Sequence, residues 1–212
     1  MRLLSPPMGR EQAVTEATPN LIGRLKAAEP EAFNELVRQF HGPVYRLAAR
    51  LVRNRDDAQE VAQEVFLAAY QGIAGFQGES ALATWLLAIA YRKAMDRLRL
   101  RKANEWQLQG QLEELPEWQR ATSVERFTDW EDTPEETYQR GELKLLLEGA
   151  LEKVPAEARA VLELRDMQGL SFRETAQVLG ISEGAARVRL HRVRQFLLAQ
   201  LQDYASSGGR PK

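Results

Sequence analysis

Residues 103–136 carry ten acidic side chains against two basic ones, Arg120 and Arg126, and show no sustained helical or strand period. A net charge of −8 over this stretch, with no regular apolar stripe beside it, reads as a linker. The chain is therefore divided into two folding units joined by an acidic linker. The flanks have the opposite sign: residues 21–102 hold 13 basic and 9 acidic side chains, and residues 151–204 hold 8 and 7. Trp106, Trp118, Phe127 and Trp130 are unusual in a plain spacer. The segment reads either as a solvated tether or as a strand lying in a basic channel of a partner.

The 212 residues as a whole sum to a net charge of −1, which excludes a uniformly basic nucleic-acid coat but leaves room for local patches. With 44% apolar residues the chain can build a packed core. It has no cysteine and only two histidines, His41 and His191. Disulfide frameworks, thiolate zinc sites and cysteine nucleophiles are excluded, and neither a metal nor a cofactor is expected. No apolar run reaches the ~18 residues of a membrane span, so a soluble cytoplasmic protein without membrane insertion is expected.

Outside the linker the apolar spacing is helical. Phe33, Leu36, Val37 and Phe40, then Val44, Leu47, Ala48 and Leu51, follow the i, i+3, i+4 rule, and Gly42-Pro43 predicts a break or kink. Asp57 with Glu60 predicts the next helix start. Its apolar stripe is Ala58, Val61, Ala62, Val65, Phe66 and Ala69, leaving Gln59, Glu60, Gln63 and Glu64 on the other face. A glycine-rich loop, Gly72 to Ser80, precedes a further amphipathic helix through Leu82, Trp85, Leu86, Ile89, Ala90, Ala94 and Leu98, whose end is basic. Residues 137–149 predict another helix, and residues 156–167 one that starts at Pro155 and ends at Gly169. The expected class is all-α.

Residues 171–186 have the form of a helix-turn-helix. Ser171 with Glu174 makes a capping box, Gly180 suits a turn needing positive φ, and Ser182 caps the second helix. In that helix Ala186, Leu190, Val193 and Leu197 share the inward face. At about 100° per residue the outward face is Gly184, Val188, His191, Arg192 and Gln195. Arg187, Arg189, Arg192 and Arg194 fall within eight residues with no acid among them, a pattern suited to the DNA major groove.

Residues 56–66 (DDAQEVAQEVF), 76–98 (FQGESALATWLLAIAYRKAMDRL) and 154–197 together resemble bacterial RNA polymerase sigma factors of the extracytoplasmic-function (ECF) group. That resemblance implies a sigma domain 2 over 20–102 and a sigma domain 4 over 137–204 on either side of the linker 103–136, while residues 1–19 and 205–212 read as flexible tails. It implies an initiation factor, not an enzyme, that binds core RNA polymerase at the β′ clamp helices and β flap, places it on promoter DNA and helps open it. An anti-sigma factor is a further partner the family implies.

The resemblance also assigns roles by position. Gln59, Glu60, Gln63 and Glu64 would dock on the polymerase. Phe76, Gln77, Gly78, Glu79 and Ser80, with Arg92, Lys93 and Arg97, would hold the unstacked −10 strand, with Phe76, Trp85 and Tyr91 as the aromatic candidates for stacking. Trp85 lies on the apolar stripe and reads as core. Phe172, Arg173, Arg187, Val188, Arg189, His191 and Arg192 would contact the −35 duplex, flank arginines taking phosphates and outer residues taking base edges. The family commonly has Asn where Arg92 stands, which implies an unusual −10 preference. Two other classes are a ligand-sensing helix-turn-helix regulator, which would need a palindromic operator, and a helical hydrolase or transferase. The second has no P-loop, nucleophile elbow or metal-ligand cluster behind it.

Overall fold

The computed structural model describes residues 20–106 and 146–206, and among them only helices and turns occur. The first unit comprises α1 (Leu21–Lys26), α2 (Pro30–Val52), α3 (Arg55–Gly72), a 3₁₀ turn at Ile73–Gly75 and α4 (Leu82–Trp106). The second comprises a helical segment over 146–152 (α5), α6 (Ala156–Leu162), a π-turn at Glu163–Met167, α7 (Phe172–Leu179) and α8 (Glu183–Ser206).

Several boundaries differ from expectation. Residues 103–106, placed in the linker, extend α4, and residues 205–206, placed in the tail, extend α8. The tail 1–19, the rest of the linker and residues 137–145 of the expected helix lie outside the described residues. No break occurs at Gly42-Pro43, because α2 runs through it. An interior proline costs about 3 kcal/mol, which the burial of Phe40, Val44 and Leu47 around it offsets. The cap of α3 is Asn54, whose side-chain oxygen accepts from the Asp57 backbone N–H at 2.9 Å. Asp56 and Asp57 occupy the first turn instead, where the helix dipole favours their charge.

The amino-terminal half of α4 is buried on several sides through Leu82, Ala83, Leu86, Leu87, Ile89, Ala90 and Ala94. It packs against α2 and α3 in its own unit and against α7 in the other. Ala160, Val161, Leu164, Leu170, Val178, Leu179 and Leu190 of the second unit therefore join the apolar cluster of the first. A smaller cluster, Ala150, Val154, Ala158, Val193 and Phe196, lies under α8. Phe196 is fully buried beside the expected Ala186, Leu190 and Val193, while Leu197 is half-buried.

Polar groups cross the same junction. Arg159, 7% exposed, donates from Nη2 to the Leu51 carbonyl at 3.0 Å. Its Nη1 donates to the Val154 and Leu151 carbonyls at 3.0 and 3.2 Å. One buried cation thus closes the carboxy-terminal ends of α2 and α5, where carbonyls lack helical partners and the dipole is negative. Burial, and then the charges of Arg53 and Arg50, bring its pKa down to about 10, so it stays charged at neutral pH. The π-turn turns Glu163 and Gln168 inward. Glu163 accepts from Arg50 Nε at 3.3 Å, and Gln168 Nε2 donates to the Pro43 carbonyl at 3.2 Å.

Replacing Arg159 with Met is expected to lower the free energy of unfolding by about 1–3 kcal/mol, the cost of stranding buried carbonyls. Urea titration followed by circular dichroism measures this, with Arg55→Met, at an exposed position, changing it by less than about 0.5 kcal/mol.

Candidate nucleic-acid interface

Helix α3 sorts its residues as its period requires. Ala58, Val61, Ala62, Val65 and Phe66 are buried, and Gln59, Glu60, Gln63 and Glu64 are exposed. The exposed face continues into two large apolar side chains not singled out in the sequence, Leu67 at 58% and Tyr70 at 57% exposure. Tyr70 is held edge-on against Phe33, ring centroids 5.2 Å apart. Their spacing was the available signal: Glu60, Glu64 and Leu67 stand at i, i+4 and i+7.

The loop after α3 divides into an anchor and a display. Phe76, expected to face a base, is 5% exposed and packs on Trp85 at 5.2 Å between centroids. Its ring pins the loop to the core and offers no face for stacking in this arrangement. Gln77, Gly78 and Glu79 are exposed and Ser80 is half-buried. Gly78 turns the chain at φ 76°, a conformation that a side chain would strain even though a Cβ there would meet nothing.

The cations of α4 do not form one free patch. Arg92 is exposed, with Nε donating to the Ala88 carbonyl one turn back at 3.2 Å. Lys93 Nζ lies 3.0 Å from Glu64 Oε2. Arg97 Nε lies 3.0 Å from Asp57 Oδ1, and its Nη2 pairs with Glu60. Two sets of residues assigned separate roles in the sequence are thus brought together in space. Tyr91, half-buried, faces the second unit, and burial followed by the charge of Glu157 pushes its phenol pKa up.

The helix-turn-helix forms as its sequence predicts. The Glu174 backbone N–H donates to Ser171 Oγ at 3.1 Å, and the Ser171 backbone N–H donates to Glu174 Oε2 at 2.8 Å. Gly180 adopts φ 66°, and Ser182 Oγ accepts from the Ala185 N–H at 3.1 Å. On α8, Arg187, Val188, His191 and Arg192 are exposed and Arg189 is half-buried. Arg194 is committed to Asp166 through two bonds of 2.9 and 2.6 Å. Arg173 is exposed. Phe172 is half-buried and lies beneath two guanidinium groups, Arg187 at 4.2 Å and Arg165 at 5.0 Å from its ring centroid. It therefore steadies Arg187 from below.

His41 stacks near Tyr45 and Phe66. Among the described residues no group of three or more His, Asp or Glu side chains can hold a metal ion, and no helix is long and apolar enough to cross a membrane.

Comparison with known proteins agrees with this architecture. Residues 36–104 match the Sigma-70 region 2 family model and residues 144–197 match Sigma-70, region 4. The chain is 31% identical over 187 residues to the RNA polymerase sigma-H factor of Pseudomonas aeruginosa, covering 88% of this chain and 95% of that protein. It is 31% identical over 185 residues to the ECF RNA polymerase sigma-E factor of Haemophilus influenzae, covering 86% and 94%. With the ECF RNA polymerase sigma factor SigM of Mycobacterium tuberculosis it shares 30% over 211 residues, covering 97% of each. Two solved structures share the fold: CnrH in complex with the cytosolic domain of CnrY (TM-score 0.58, 23% identity, 86% of this chain and 96% of that one), and the sigma factor RpoE with the anti-sigma factor NepR from Bartonella quintana (TM-score 0.59, 19% identity, 80% and 96%). The reading as a ligand-sensing helix-turn-helix regulator falls away. A polar-faced helix, a glycine loop leading into a basic helix, and a capped helix-turn-helix, in this order and with these relatives, make the chain a transcription-initiation sigma factor of the ECF group.

Proposed function

We propose that this sigma factor docks on core RNA polymerase through the exposed face of α3, holds the −10 strand with the loop and basic end of α4, and reads the −35 duplex with α8. The observation that carries this reading is the exposure, on one small chain, of an acid-and-amide helix face and an arginine-rich helix-turn-helix face. An acidic face complements basic residues on a partner, and Leu67 and Tyr70 give that face an apolar anchor of the kind that dominates docking energies. Gln77, Gly78, Glu79 and Ser80 supply polar groups and close backbone approach for an unstacked base. The few kcal/mol lost in unstacking are recovered from such contacts and from phosphate pairing by Arg92, Lys93 and Arg97.

On α8, Val188, His191 and Arg192 face outward for base edges, while Arg187, held by Phe172, and Arg173 take phosphates. Arg189, half-buried beside α4 in the closed arrangement, becomes available to a phosphate when the two units part. The shared core of α4 and α7 is the resting state of the free chain. Sigma domains 2 and 4 separate on the polymerase, with the linker spanning the gap. An anti-sigma factor, the partner in the RpoE structure, is a fitting regulator for a chain of this fold.

Two outcomes test this reading. The triple variant E60A/Q63A/E64A is expected to lose at least about tenfold in affinity for core polymerase, equal to about 1.4 kcal/mol, with an unchanged circular dichroism spectrum. Unaltered polymerase binding in a pull-down, with normal run-off transcription, refutes the docking face. Arg192→Ala is expected to cost about 1–3 kcal/mol on one −35 sequence and less on its base-substituted variants, whereas Arg189→Ala weakens all promoters alike. Holoenzyme binding across a promoter set, measured at fixed salt, separates the two patterns.

A further inference from the structure

A groove of about 850 Å³ opens at the junction of the two units, on the side away from α4 and α7, and its volume falls in the range of small-ligand sites. Arginines reach it from three elements. Arg46, Arg50 and Arg53 stand at i, i+4 and i+7 along α2 and its cap, Arg55 opens α3, and Arg159 comes from α6. Four acids also line it, and their partners decide what charge is left. Asp166 is bonded twice to Arg194, which lies outside the groove. Glu163 takes only the Nε of Arg50, at 3.3 Å, and Glu152 pairs with one Nη of Arg53, so both guanidinium groups keep further N–H donors. Glu148 is exposed at the rim. Arg46 and Arg55 are exposed and pair with no carboxylate among the described residues. With Asp166 matched by Arg194, five arginines stand against three glutamates, an excess of two positive charges.

Arg159 adds an unmet donor. Its Nη groups are spent on main-chain carbonyls, and its Nε is buried without an acceptor. Burial first, and then Arg53 and Arg50, hold its pKa down, so the neighbouring charges that act on it most are positive. Tyr45 and Met167, the latter 57% exposed, give the groove an apolar wall beside the cations.

We propose that this groove binds a chain of two or more phosphates, free or carried by a nucleoside, with Arg46 and Arg55 as its exposed hooks and Arg50, Arg53 and Arg159 as its wall. Guanidinium groups suit such a ligand because each planar fork takes two phosphate oxygens at once. A single phosphate engages one or two of these arginines, whereas a chain of them reaches arginines on both sides of the groove. The concave shape favours a small ligand over the convex backbone of a duplex. Arg159 belongs to the second unit and the other four arginines to the first, so an occupant bonds the two units together and stabilises the fold as its concentration rises.

The test is isothermal titration calorimetry on the full chain in magnesium-free buffer at about 0.15 M salt, where exposed charges more than about 8 Å apart are largely screened. The probes are inorganic phosphate, pyrophosphate, inorganic triphosphate, ATP and GTP. From phosphate to triphosphate, each added group is expected to tighten binding about tenfold, equal to about 1.4 kcal/mol. R46Q/R55Q is expected to weaken triphosphate binding at least about tenfold. K26Q/R38Q removes the same charge from exposed positions outside the groove and is expected to weaken it less than about threefold. A nucleotide that binds as tightly as triphosphate supports the site with the phosphate chain as the whole ligand. A nucleotide that binds more tightly supports it with the base against Tyr45 as well. Failure of all five compounds to bind overturns the proposal. Equal losses in the two double variants also overturn it, since general attraction to positive charge then explains the binding. If R46Q/R55Q weakens binding of a duplex oligonucleotide while no small compound binds, the arginines are a DNA-backbone contact and the proposal falls. Circular dichroism confirms that both variants fold.

Discussion

The burial of the amino-terminal half of α4 is the constraint on which the other features rest. Leu82, Leu86, Leu87, Ile89 and Ala90 cannot all be covered by α2 and α3, because they point in more directions than two neighbouring helices close. Burying a leucine or isoleucine side chain is worth roughly 1.5–3 kcal/mol, so the uncovered side draws in α7 and with it the whole helix-turn-helix unit. From its middle onward α4 turns basic, with Arg92, Lys93 and Arg97 on sides of the helix left off that core. One helix therefore both glues the two units together and presents cations beside the shared core.

The polar contacts at the junction differ in kind from the apolar ones. Arg159 bonds to three main-chain carbonyls, and Gln168 to the Pro43 carbonyl, so these links demand particular backbone positions on both sides. Apolar packing alone tolerates sliding. The carbonyl contacts select one relative placement of the units; the buried Glu163 takes Arg50 within it, and the exposed pair Arg53–Glu152 lies at its rim. An interface built this way is held by directional carbonyl contacts as well as by apolar packing.

Much of the fold is legible in the sequence. The stripe of α3, the capping box at Ser171 and Glu174, the turn at Gly180 and the outward face of α8 are all local: each depends on residues within one or two helical turns. The misreadings involve choices among residues that are locally equivalent. Asn54 and Asp57 are both good caps, and Asn54 won because starting there brings two aspartates into the first turn. Phe76 beside a glycine loop suited a stacking platform until Trp85, nine residues on, gave it a partner inside. Pro43 had the sequence signature of a break, but burial on both sides of it carried the helix through.

By itself, the sequence determined two helical units on either side of an acidic strap, the faces of α3 and α8, and membership of the ECF sigma factors, because periodicity, capping and motif order are short-range properties. Only the tertiary structure decided that the second unit shares α4's core, that Phe76 is an anchor, and that Glu60 and Glu64 neutralise Lys93 and Arg97. Those outcomes join residues more than 25 positions apart, or weigh burial against exposure. A linear pattern says which faces are charged or apolar; which of them meet is settled only when all the helices compete for the same space.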